Sequence, residues 1–137
     1  EEELDEVDVE LNFPRFLPDN YIEKNEKIKI YKRALALKTF EELEDLHKEL
    51  EDRFGRLKSE AKGFFEFLKI RIRARELGIV SIKEDKEKRI LINFNEEKIN
   101  VDKIIYLLAN KKISYLKFTQ TIGFEGDIFE FFDLYSN

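Results

Sequence analysis

Glu49-Leu50-Glu51-Asp52-Arg53-Phe54-Gly55 reads as the closing turns of a helix and its stop signal. Leu50 and Phe54 stand one turn apart and continue the apolar stripe Leu43, Leu46, Leu50 and Phe54. Gly55 follows the last periodic residue, where a left-handed conformation usually ends a helix. Upstream, Thr39 and Glu42 have the spacing of a capping box, so this helix starts at Thr39. Two further helices flank it. One is expected from about Glu23 to Leu37, with Ile28, Tyr31 and Leu35 as its stripe and Ile30, Ala34 and Leu37 widening it. The other runs from about Ser59 to Leu77 and is capped by Gly78. Short connections predict that the three helices pack as neighbours.

The pattern changes outside this block. Val7, Val9 and Leu11 alternate with Asp8, Glu10 and Asn12, the period of a half-buried strand that Pro14 ends. Ile79–Lys83 and Arg89–Phe94 read as two strands around a charged turn. Val101–Ala109 reads as a helix turning Ile104, Ile105 and Leu108 inward. Tyr115–Thr119 reads as another strand, and Asp127–Tyr135 as a final helix carrying Phe129, Phe131 and Phe132. The expected class is α+β: an N-terminal strand and three-helix unit, then a small β-sheet flanked by two helices. At 137 residues the chain suits a single domain, residues 1–137. It starts at Glu1 and contains no methionine, so it is expected to be a part cut from a larger multidomain protein.

Composition narrows the chemistry. The absence of cysteine removes disulfide, zinc-thiolate and cysteine-nucleophile chemistry. Charged residues make up 40% of the chain and the formal net charge is −5, which disfavours sequence-independent binding to phosphate backbones. No apolar run approaches the length of a membrane span. The five glycines are isolated, so no phosphate-cradling loop is present. The single histidine, His47, lies near an apolar stripe with no metal-ligand spacing around it, and reads as a structural residue. With 30 acidic side chains, carboxylate pairs arise by chance and do not indicate a hydrolase.

Two clusters remain. Glu49 and Arg53 lie one turn apart beside the apolar stripe, with Asp52 next to them. They read either as an ordinary i,i+4 surface ion pair or as a polar patch that docks a partner, for which the arginine fork is well suited. On the third helix, Ala61, Phe64, Leu68 and Ile72 form one apolar arc, and Phe67, Ile70, Ala74 and Leu77 another. Arg71 and Arg75 fall between the arcs. They read as snorkelling or paired within the domain, or as a secondary interface. An alternative reading takes Arg71, Arg73 and Arg75 as a nucleic-acid-binding helix.

The order of these segments resembles the C-terminal domain of bacterial transcription-repair coupling factors (Mfd). The matching pieces are Pro18-Asp19-Asn20-Tyr21-Ile22, then Ile30-Tyr31-Lys32-Arg33, then Glu49–Gly55, then Ile70-Arg71 with Leu77-Gly78-Ile79, and finally Leu116-Lys117-Phe118. The chain departs from the family at Arg56-Leu57-Lys58, where Pro-Leu-Pro is usual, and in the loop Phe13-Pro14-Arg15-Phe16. The resemblance implies a non-catalytic, cytoplasmic regulatory domain of an ATP-driven DNA translocase. It implies docking onto the N-terminal UvrB-like module of the same protein, masking the surface that binds UvrA. The docking residues it implies are Glu49, Asp52 and Arg53. No cofactor or metal is implied here, since ATP is used by the motor domains of the parent protein. RNA polymerase and DNA are implied to be met only through other domains.

Overall fold

A computed structural model describes residues 6–116 and 119–137. The chain divides into two compact units. Residues 13–72 form one; the segments on either side of them form the other.

The helical unit holds α1 (Lys24–Leu35), α2 (Phe40–Phe54) and most of α3 (Ser59–Leu77). At the start of α2 the capping box is complete: the Thr39 hydroxyl accepts from the Glu42 N–H, and the Glu42 carboxylate accepts from the Thr39 N–H. Gly55 ends the helix with φ at +86°, in the region that favours glycine. Leu43, Leu46 and Leu50 point into a core completed by Ala61, Phe64, Leu68 and Ile72 of α3. On α1 the buried residues are Ile30 and Ala34, with Tyr31 and Leu37 packed against the same core; of the expected stripe Ile28, 62% exposed, and Leu35, 45% exposed, turn outward. At 100° per residue, Ile30, Ala34 and Leu37 share one face, and Ile28 and Leu35 lie on nearly the opposite one.

The stretch before α1 is extended and pinned at several points. Leu17 and Ile22 are fully buried. The Leu17 N–H donates to the Tyr31 hydroxyl at 2.8 Å. The Pro18 carbonyl accepts from the N–H groups of Tyr21 and Ile22, each at 3.0 Å, closing the turn that aims the Tyr21 ring inward. The Tyr21 hydroxyl then donates to the Gly55 carbonyl at 2.7 Å. Burial, with a smaller contribution from Glu51, pushes the Tyr21 hydroxyl up from its ordinary value. The Asp19 carboxylate pairs with Lys27. Ahead of it, Pro14 crosses α3 at Gly63 so closely that a Cβ there would overlap the Pro14 carbonyl oxygen.

The second unit is a five-stranded sheet in the order β1-β2-β3-β5-β4. Its strands are β1 (Asp8–Glu10), β2 (Ile79–Glu84), β3 (Ile90–Phe94), β4 (Ser114–Leu116) and β5 (Thr121–Phe124). β1 pairs parallel with β2, and the other pairings are antiparallel. The N-terminal strand therefore belongs to the sheet. Helices α4 (Val101–Ala109) and α5 (Ile128–Ser136) complete the unit. Ile82, Ile92, Ile122 and Phe124 are buried. Phe131 packs edge-on against Phe124 at 5.6 Å; these two and Phe132 are buried, while Phe129 is half-buried. Polar side chains run across three strands: Thr121 donates to Asn93, and Asn93 to Ser81, each at 3.0 Å.

Two expectations are corrected in this unit. On α4 the inward pair is Ile104 and Leu107, while Ile105 is 58% exposed. Residues 104 and 107 are separated by less than one turn and share a face, from which 105 is turned by 100°. The strand expected over Tyr115–Thr119 is Ser114–Leu116; Thr119 lies in a turn, and Lys117 and Phe118 fall outside the described residues. β5 was not anticipated, because Thr121-Ile122-Gly123-Phe124 contains a glycine, which weakens strand patterning.

Two substitutions test the pinned segment. Gly63→Ala should lower stability by about 1–3 kcal/mol in a urea titration, despite a helix-propensity gain of about 1 kcal/mol. A stabilised variant would show that Pro14 does not press on α3. Tyr21→Phe removes the hydrogen bond to Gly55 and should cost about 1–2 kcal/mol by the same measurement.

Candidate docking surface

Four charged side chains form a chain of ion pairs between α1 and the C-terminal part of α2: Glu26 in the first turn of α1, Arg33 in its last turn, and Glu49 and Arg53 of α2. Glu49 lies one turn before the end of α2. The Arg33 guanidinium takes both oxygens of Glu49, Nη1 to Oε2 at 2.6 Å and Nη2 to Oε1 at 2.9 Å. This is the fork geometry that makes arginine–carboxylate pairs strong and directional. Arg53 reaches the same Glu49 Oε2 at the longer distance of 3.4 Å. Its other arm reaches Glu26 of α1 at 3.3 Å. The Arg53 guanidinium also lies 4.8 Å from the centre of the Phe54 ring, a cation–π contact.

The electrostatics follow the geometry. The Arg33 hydrogen bonds hold the Glu49 carboxyl below its ordinary value, with Arg53 adding to the effect. Glu49 in turn raises Arg33. Asp52 is exposed and makes no ion pair among the described residues. The sequence-predicted trio therefore divides: Glu49 and Arg53 meet, while Asp52 points to solvent beside them. Sequence reasoning missed Arg33 and Glu26 as members of this cluster. The signal was faint: a cation in the last turn of one helix and a carboxylate near the end of the next.

The other candidates are placed differently. Arg71 and Arg75 are half-buried, and the Arg71 guanidinium lies 5.9 Å from the centre of the Phe67 ring. Arg73 pairs with Glu76 at 3.1 Å. The His47 ring stacks obliquely on Phe65, with centres 5.1 Å apart, and its Nε2 lies 3.5 Å from Glu51. Among the described residues no group of three or more histidine, aspartate or glutamate side chains could hold a metal ion. No helix among them is long and apolar enough to cross a membrane.

The profile of one known family, described as the TRCF domain, matches residues 11–104, a span that includes the whole cluster. The chain belongs to the TRCF domain family. Proteins named transcription-repair-coupling factor resemble this TRCF domain along most of its length. The Escherichia coli protein is 36% identical over 127 residues, covering 86% of this chain and 11% of that protein. The Borreliella burgdorferi protein is 36% identical over 107 residues, covering 76% and 9%. The Staphylococcus haemolyticus protein is 40% identical over 98 residues, covering 69% and 8%. The TRCF domain here thus spans about a tenth of the length of these relatives. Its fold matches a crystal structure of the C-terminal domain of transcription-repair coupling factor. The TM-score is 0.75 at 20% identity, covering 95% of this chain and 87% of that one.

The cluster makes a pH-dependent contribution to the TRCF domain. Because the folded Glu49 carboxyl titrates below its ordinary 4.5, the pair stabilises the fold above that pH. The contribution is lost as pH falls through the depressed folded value. Both partners are solvent-accessible, so the effect is small. Glu49→Gln should cost no more than about 1 kcal/mol at neutral pH and low salt. In thermal unfolding, the gap between variant and wild type should close below pH 4.5 and narrow at high salt.

Proposed function

We propose that this TRCF domain is a non-catalytic regulatory domain that docks on the N-terminal UvrB-like module of its parent coupling factor. In the docked state it masks the surface of that module that binds UvrA. The observation that carries this reading is the polar surface that α1 forms with the C-terminal part of α2. Arg53 is oriented but not saturated there, and Asp52 is exposed beside it. A surface of this kind suits a reversible contact. Exposed ion pairs each contribute little, and water can replace them when the partner leaves. Catalysis by the parent, driven by ATP in its motor domains, takes place elsewhere in that cytoplasmic protein. RNA polymerase and DNA are engaged there too, so docking here acts as a clamp on the recruitment of repair.

The test is a calorimetric titration of this chain against the UvrB-like module of its own parent, with UvrA as competitor. Binding that UvrA displaces is the expected result. Arg53→Glu should weaken docking at least tenfold while leaving the fold intact, a loss within the few kcal/mol that a charge pair contributes at an interface. Unchanged affinity in that variant would remove this surface from the contact. Absence of binding by the wild-type chain would overturn the docking function itself.

A further inference from the structure

We infer that Arg33 and Glu26 are positioning residues of this docking surface and that they act through Arg53. The inference rests on the docking function proposed above. Neither residue belongs to the trio indicated by the family resemblance.

The reasoning starts from what Glu49 could do by itself. A glutamate and an arginine at i and i+4 can close into a paired fork, which would spend the donors of Arg53 on its own helix. That closure is blocked here because Arg33 already holds both oxygens of Glu49, at 2.6 and 2.9 Å. Only a long contact of 3.4 Å remains between Glu49 and Arg53. Glu26 holds the other arm of Arg53 at 3.3 Å, and the Phe54 ring supports the guanidinium plane. Both ion-pair distances exceed the roughly 2.7–2.9 Å of a strong charge-assisted bond. Arg53 is therefore oriented from three sides and committed to none. An arginine carries five N–H donors, so a partner carboxylate finds donors still available and already aimed. Arg33 keeps Arg53 open by competing for Glu49, and Glu26 sets its direction.

This arrangement predicts that one substitution can undo another. Arg33→Ala should release Glu49 to capture Arg53 and weaken docking about three- to fivefold, the scale of one exposed ion pair. Adding Glu49→Gln to Arg33→Ala removes the captor, so docking should return to within about twofold of the Glu49→Gln single variant. Arg33→Lys keeps the charge but cannot hold both oxygens, and should fall between wild type and Arg33→Ala. If Arg33 touched the partner directly, its loss would multiply with that of Glu49→Gln in the double variant, and that result overturns the inference. So does an unchanged affinity in Arg33→Ala. A second readout needs no partner. In the isolated chain the Arg53 Nε–Hε resonance should move in Arg33→Ala and move back in the double variant. If the wild-type chain fails to bind the module, the docking function falls. The resonance then still decides whether Arg33 positions Arg53, and a resonance that does not move overturns the inference.

Discussion

The helical unit depends on how an extended, proline-marked segment is held against helices that follow it. Pro14 lies on Gly63, Leu17 and Ile22 fill the core, and the Tyr21 hydroxyl reaches the carbonyl at the end of α2. Helix ends leave carbonyls without intrahelical partners. Tyr21 supplies a donor at that point from more than thirty residues earlier. It thereby ties the start of the unit to the turn that carries Arg53. The segment leads into α1, which shares its core with α2, and there Glu26 meets Arg53 and Arg33 meets Glu49.

The charged cluster owes its character to a division of labour between two arginines. One is spent on a short, two-point pair, and the other is left with long contacts and an aromatic support. Charge alone does not distinguish them; their distances do. A lysine in place of Arg33 could not occupy two oxygens at once, and a lysine in place of Arg53 would lose the flat contact with Phe54. This surface therefore depends on planar geometry as much as on its sign of charge.

Much of this was legible in the sequence wherever local chemistry decides structure. Thr39 with Glu42, Gly55 and Gly78 marked helix ends because capping needs only neighbours in the chain. The extent of α3 was readable at both ends for the same reason. Which face of α1 turns inward was not readable. Its apolar residues cover two sides, and only the neighbouring helices choose between Ile30 and Ile28. The short β5 escaped because strands of this length take their stability from the strands beside them. The candidate site was half visible. Glu49 and Arg53 stand at helical spacing, whereas Arg33 and Glu26 reach them only across the packing of two helices.

The parallel pairing of β1 with β2 has a consequence for the order of folding. Val9 lies beside Ile82, so the two strands are joined by a loop of about seventy residues that contains the three-helix unit. Strand pairings closed over long loops form late, because chain entropy is lost before contacts compensate for it. Until β1 arrives, β2 is the border of a four-stranded sheet with its backbone groups open to other chains. The acidic residues on β1, Asp8 and Glu10, face Lys83 on β2 at 3.6 and 4.0 Å. They leave the finished edge charged, which discourages sheet-to-sheet association.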